Sequence, residues 1–392
     1  MPTATMADTL ETIAASEADV RRLFDGETRV RGHHSDARYM SQLTEAANLV
    51  ADVSEGRRPM YHLQEALTTS DFPLLFGDIL DRQLLAAYRE IPEVWRAYAR
   101  TSTVPDFRLV SRHAIDGAEG ALEAVAEQAP YPAATLEESR DQYRVGKYGR
   151  RLPLSWETLV NDDLDAFRAL PERLARGARR SVQRFVTDLY VDANGPHASL
   201  YTAPFANIVT GNPVLSIAAL QTAYTVLAAQ RDEDGEPIFI DSVTLVVPPA
   251  LEVTAQNILN AIQLEIVEQG GTANQRLIAQ NWMSNRLKLV VDPYIPIVAS
   301  TANGNTMWAL FANPADGRPA LEVGFLRGHT EPALFMKRSD AQRVGGTAGP
   351  DGDLADFDTD TVQWKVRHVF GGTRLISTGG QKATVASQGD GT

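Results

Sequence analysis

Five aspartates crowd one short stretch of the chain: Asp351, Asp353, Asp356, Asp358 and Asp360. Carboxylates at that density could hold a hard divalent cation. A helix–loop–helix calcium site needs glycine at its sixth position and a bidentate glutamate at its twelfth. Counted from Asp351, those positions hold Asp356 and Val362, so the match fails. A solvated acidic loop is the better reading, with an irregular cation site between subunits as the remainder. His33-His34 is the only adjacent histidine pair. Neighbouring side chains on a helix diverge by about 100°, which seldom lets them share one metal. His62, His113, His197, His329 and His368 are scattered, without a ligand-type partner four residues away. Gly379-Gly380-Gln381-Lys382 lacks the spacing of a phosphate-cradling loop. Nucleophile-elbow, zinc-protease and dinucleotide-binding patterns are absent. With no cysteine, disulfides and thiolate chemistry drop out together. No catalytic residue, cofactor or metal is implied, and an α/β enzyme with an unrecognised site is the remote alternative.

What the chain has in quantity is arginine. Lysine contributes only five of the 37 basic residues, against 50 acidic ones, for a net charge of −13. The plain reading of that bias is a GC-rich coding sequence. Its physical consequence is that arginine forms geometrically fixed, bidentate ion pairs, which suit subunit interfaces. Arg173, Arg176, Arg179, Arg180 and Arg184 crowd one side of a helical pattern whose apolar face runs through Phe167, Leu170, Leu174, Ala178, Phe185 and Leu189. Three readings stand for that row: a plain solvated face, a partner for acidic groups on a neighbouring arm or loop, or non-specific contacts to DNA phosphates. Segments such as 119–138 could supply the acidic partner.

The elements that would position these groups divide the chain into seven stretches. Residues 1–70 carry only narrow apolar stripes and read as an N-terminal arm that packs on something else. Residues 71–102 hold a strong helix through Phe72, Leu75, Ile79, Leu84 and Tyr88, interrupted at Ile91-Pro92. Within 103–154, residues 139–154 alternate like a two-sided exposed strand of a long projecting hairpin, with Tyr143, Val145, Lys147 and Tyr148 too few to bury a face. Residues 155–205 contain a helix of about 30 residues, some 45 Å long, opened by Asp162-Asp163 and ended by Asn194-Gly195-Pro196. Residues 206–340 alternate helices and buried strands. Residues 341–378 are a loop followed by a strand with a Gly-Gly break. The last stretch, 379–392, rich in small polar residues, reads as a flexible tail. The N-terminus lacks the basic start and apolar core of a signal peptide, and no apolar run is long enough for a membrane span.

One segment of this layout is diagnostic. Asp232, Gly235, Pro237 and Ile238 lead into Leu245 to Pro249 and then Leu251, a strand stopped by two prolines and followed at once by a helix. In that context the chain resembles the major capsid proteins of tailed bacteriophages. The resemblance covers about residues 70–378 and rests mainly on the order of elements. It implies an α+β, HK97-type capsid fold: N-terminal arm, E-loop hairpin, P-domain with a long spine helix, and an α/β A-domain. It implies a shell protein, assembled in the host cytoplasm into the hexamers and pentamers of a virion enclosing double-stranded DNA. An encapsulin-like compartment shell is the alternative. Expected partners are other copies of the chain, a separate scaffolding protein or none, a portal, decoration proteins and weakly held DNA, with no membrane. Interface candidates are Tyr143, Arg144, Lys147, Tyr148, Arg150 and Arg151 on the E-loop, and Arg173, Arg176, Arg180 and Arg184 on the spine helix. Some family members crosslink an E-loop lysine to a P-domain asparagine of another subunit, assisted by a glutamate. Lys147 stands at the matching hairpin, but no asparagine follows Asn313, so no crosslink is expected.

Overall fold

The computed structural model describes residues 57, 84–90, 92–116, 125, 137–155, 164–232, 235–261, 263–268, 275–315, 318–337 and 361–391. The arm (apart from Arg57), His33-His34, His62 and the 351–360 run lie outside them. Residues 84–90 are helical. Strands β1 (Arg100–Val104), β2 (Val110–Asp116), β3 (Glu137–Tyr143) and β4 (Gly146–Ser155) precede helix α1 (Leu164–Tyr190). A two-residue ribbon, β5 (Val191–Asp192) and β6 (Gly195–Pro196), follows it, then α2 (Ile217–Ala228), β7 (Val243–Val247) and α3 (Glu252–Asn260). Next come β8 (Gln263–Glu268), β9 (Gln275–Gln280), α4 (Met283–Arg286), β10 (Leu287–Val291) and α5 (Ile295–Val298). The chain closes with β11 (Trp308–Ala312), β12 (Leu321–Leu326), β13 (Ala333–Met336), β14 (Thr361–Arg374) and β15 (Thr384–Ser387). The fold is α+β. Among the described residues no helix is long and apolar enough to cross a membrane.

The chain forms two compact units. In the smaller, β13 pairs antiparallel with the first half of β14, Phe335 opposite Lys365 and Met336 opposite Trp364. The strand period of two turns Trp364 and Val366 inward, against Leu84, Tyr88, Leu174, Ala175 and Ala178. Gly149 of β4 has no room for a side chain: an added Cβ would stand 2.6 Å from the Val366 carbonyl oxygen.

In the larger unit, β10, β7, β11 and β15 make a four-stranded sheet in that order. All five residues of β7 and all five of β11 are buried. A strand covered on both faces needs no alternation, which is why Val243–Val247 reads as a continuous apolar run. Val246, Ala309 and Phe311 pack with Val182, Val186 and Tyr190 of α1 on one face. Leu245, Val247, Leu310 and Val385 pack with Leu220 and Leu227 of α2 on the other. Ser216 caps α2, its hydroxyl accepting from the Ala219 amide at 3.2 Å. A second sheet runs β1 parallel to β12, and β12 antiparallel to the second half of β14.

Three expectations are corrected. Residues 379–392 are no loose tail: Thr384–Ser387 is a buried strand paired with β11. Val385 and Ala386 are fully buried, and burial of two small apolar residues outweighs the polar composition around them. Residues 139–154 are not one hairpin strand. The chain divides at Arg144-Val145: β3 pairs with β2, whereas β4 pairs with β14. The Gly-Gly of β14 does not break it. Val323 faces Gly372 and Gly324 faces Gly371 in continuous register. Both glycines make room instead, since a Cβ would lie 2.4 Å from the Arg144 carbonyl oxygen at Gly371 and 2.4 Å from that of Glu322 at Gly372.

Candidate functional site

The β2–β3 hairpin pairs over seven positions, from Val110 opposite Tyr143 to Asp116 opposite Glu137. No other described strand pairs with it. Its root is fastened by polar groups. Tyr143, an expected contact residue, is instead 5% exposed and committed within the chain. Its hydroxyl donates to Glu322 Oε1 at 2.7 Å and lies 2.7 Å from Ser102 Oγ. Gly324 permits this, because a Cβ there would fall 2.5 Å from the Tyr143 hydroxyl. Burial, with the Glu322 carboxylate adjacent, raises the Tyr143 pKa and keeps the phenol a donor. Ser102 donates to the same Glu322 oxygen at 2.8 Å and Arg112 Nε at 2.6 Å. Asp141, also on β3, accepts from the amides of Ser377 and Thr378 at 3.1 and 3.0 Å and from the Thr378 hydroxyl at 2.8 Å.

The remaining candidates are exposed. Arg144, Lys147, Tyr148, Arg150 and Arg151 follow the hairpin. Tyr148 is 42% exposed yet stacks on Phe370, with ring centres 4.1 Å apart. Arg151 Nη1 reaches Gln363 Oε1 at 3.4 Å. Arg173, Arg176, Arg180 and Arg184 share the outer face of α1, and Arg176 pairs with Glu172 one turn back at 3.0 Å. Arg179 departs from the row: it turns inward and ion-pairs with Glu93. The structure therefore groups the candidates into one set after the hairpin and one on α1, with Tyr143 in neither.

A further polar cluster lies inside the larger unit. Asp292 is fully buried, and its Oδ2 accepts from Thr187 and Tyr190 at 2.7 Å and from Tyr98 at 3.1 Å. Its Oδ1 accepts from the Tyr294 amide at 2.9 Å. Burial and the nearby Asp292 carboxylate push the hydroxyls of Tyr98 and Tyr190 well above the usual tyrosine range. Both therefore stay protonated and donate, and the cluster fastens α1 to the end of β10. Among the described residues no group of three or more histidine or carboxylate side chains could hold a metal. Sequence reasoning overlooked Glu322, Asp141 and Asp292. A usable signal existed for two of them, since each is the only charge in an apolar run: Glu322 in Leu321–Leu326, and Asp292 directly after Leu289-Val290-Val291.

A family model described as phage capsid protein matches residues 138–383. No curated protein sequence matches the chain. Among solved structures, one from Mycobacterium phage Patience is 13% identical with a TM-score of 0.45, over 81% of this chain and 89% of that one. One from Gordonia phage Cozz is 14% identical with a TM-score of 0.43, over 75% and 85%. The holo-SrpI encapsulin complex from Synechococcus elongatus PCC 7942 is 12% identical with a TM-score of 0.44, over 78% and 90%. The family match runs from the far end of β3, at Glu138, through α1 to the turn before β15, and this chain belongs to the phage capsid protein family.

Proposed function

We propose that the chain is the major capsid protein of a tailed phage, assembling with copies of itself into hexamers and pentamers of an icosahedral shell around double-stranded DNA. The observation that carries this reading is the β2–β3 hairpin, a two-stranded sheet with no third strand among the described residues. An isolated hairpin is marginal in water, so it calls for a surface outside the chain, and in a shell the next copy supplies one. Lacking disulfides, such a shell depends on extensive interfaces, commonly above about 2,000 Å² for obligate contacts. The exposed arginines suit that role. Each copy carries −13, so copies repel at long range. A contact between them needs a local cationic surface facing an acidic one. Arg144, Lys147, Tyr148, Arg150 and Arg151 after the hairpin, and Arg173, Arg176, Arg180 and Arg184 on α1, are the proposed contact residues. The same net charge keeps the hold on packaged DNA weak. The reading includes no catalysis. It places assembly in the host cytoplasm with a separate scaffolding protein, a portal and decoration proteins as partners.

Negative-stain electron microscopy of the purified chain, alone and co-expressed with a scaffolding candidate, tests the reading. Closed shells, tubes or rings of six are the expected products. A well-folded monomer under every condition would overturn it. Shells that retain a cargo enzyme and never DNA would move the function to a storage compartment. Arg180→Glu with Arg184→Glu should abolish assembly while leaving circular dichroism and thermal midpoint near those of the parent. Normal shells from that variant would remove α1 from the contact surface.

A further inference from the structure

The two carboxylates at the hairpin root differ from an ordinary stabilising network in what they join. Glu322 collects one donor from each of three consecutive strands: Ser102 of β1, Arg112 of β2 and Tyr143 of β3. Its side chain is 2% exposed, while that of Arg112 keeps 34% exposure. Burial alone would weaken the charged form of Arg112, but its bonds to Glu322 and Tyr143 more than offset this and raise its pKa. Asp141 fastens β3 to a second segment of the body, the backbone of Ser377 and Thr378. One carboxylate grips the hairpin from the body, and the other grips the body from the hairpin. Two attachments to separate segments of the body, at Glu322 and at Ser377-Thr378, restrict the rotation that one would allow.

The hairpin is also a lever. Seven paired residues extend about 24 Å at roughly 3.4 Å each, so a ~10° error at the root moves the far end by about 4 Å. Close-packed contacts do not absorb a shift of that size. An apolar root could slide with little penalty, whereas hydrogen-bonded carboxylates accept one geometry and leave costly unpaired groups in any other.

We propose that Glu322 and Asp141 are positioning residues that fix the direction in which the β2–β3 hairpin leaves the body, and through it the curvature of the assembled shell. The proposal rests on the capsid reading. Its test uses Glu322→Gln and Asp141→Asn in the full chain, with three readouts: thermal midpoint, amide exchange at residues 377 and 378, and shell diameter by electron microscopy. In Asp141→Asn the amides of Ser377 and Thr378 should exchange at least tenfold faster. Both variants should give a broadened diameter distribution or open sheets. A merely stabilising role predicts a lower midpoint with unchanged diameters. Shells of parental diameter and spread, formed by Asp141→Asn with those amides exchanging tenfold faster, would overturn the proposal. Where Glu322→Gln fails to fold, Ser102→Ala removes one donor without disturbing the buried charge. It should still broaden the diameters, and an unbroadened distribution overturns the proposal equally. A parent chain that never forms shells, though its 377 and 378 amides are protected, refutes the capsid reading itself and takes the curvature role with it.

Discussion

The four-stranded sheet and the hairpin root are held by opposite means. In the sheet, Leu245, Val246, Val247, Trp308, Leu310, Phe311 and Val385 are fully buried. The buried polar side chains there are short: Thr384 donates to the Leu310 carbonyl at 2.9 Å and Ser387 to that of Pro213 at 2.8 Å. At the root, two carboxylates, a phenol, two hydroxyls and a guanidinium carry the attachment. Apolar burial is non-directional and scales with area, so the sheet's stability is shared among many residues. The hydrogen-bonded root depends on direction, and its specificity is concentrated in a few. Stability and orientation are therefore assigned to separate regions.

The strongest way to break the comparison is to remove β15. A chain stopped after Thr378 uncovers one side of β11 and opens the cluster around Val385, and it should not yield soluble folded protein. Recovery of a cooperative unfolding transition from that chain would show that the sheet stands without its last strand. Trp308→Ala comes next. It empties a fully buried indole site and should cost about 3–5 kcal/mol, read as a lower denaturant midpoint with an unchanged slope. Tyr143→Phe keeps the ring and removes one donor from Glu322, at about 1–2 kcal/mol. Its effect should fall more on the hairpin than on global unfolding, with faster amide exchange in 110–116 and 137–143 than in 243–247. Uniform acceleration across both regions would contradict the division. The smallest effect concerns pH. His197 lies 2.8 Å from Arg374 Nη1, and burial together with that positive charge lowers its pKa. The unfolded imidazole takes up its proton near pH 6.5 and the folded one only at lower pH. The stability it contributes is present above about pH 6.5 and is lost as pH falls towards the folded pKa. Between pH 7.5 and 5 the parent's thermal midpoint should fall further than that of His197→Gln, and parallel curves would exclude His197 as a source of that loss.

The same division explains what was legible in the sequence. Val243–Val247 followed by Pro248-Pro249, and the long apolar face of α1, announce themselves within windows of a few turns. The root does not. Glu322 lies 179 residues from Tyr143, 210 from Arg112 and 220 from Ser102, and Asp141 lies 236 from Ser377. Local patterning carries no information on such pairings. The boundary between β3 and β4 was missed for a related reason. Alternation continues smoothly through Tyr143, Val145 and Lys147, and only the change of partner strand, from β2 to β14, separates the two. Composition misled at the C-terminus, where glycine and serine surround the four residues of β15. The arginines of α1 were readable as a row, but the inward turn of Arg179 towards Glu93 was not.

The position of β15 has a kinetic consequence. Its partner β11 lies more than seventy residues upstream, Trp308 pairing with Ser387. During synthesis at roughly 5–20 residues per second, β7, β10 and β11 leave the ribosome several seconds before the strand that flanks them. Until residue 387 emerges the sheet keeps an open edge, and a nascent chain cannot complete the body on which the hairpin is aimed. Folding of the sheet is thus tied to the emergence of residues 384–387, so that chains cut short before them are kept out of a growing shell.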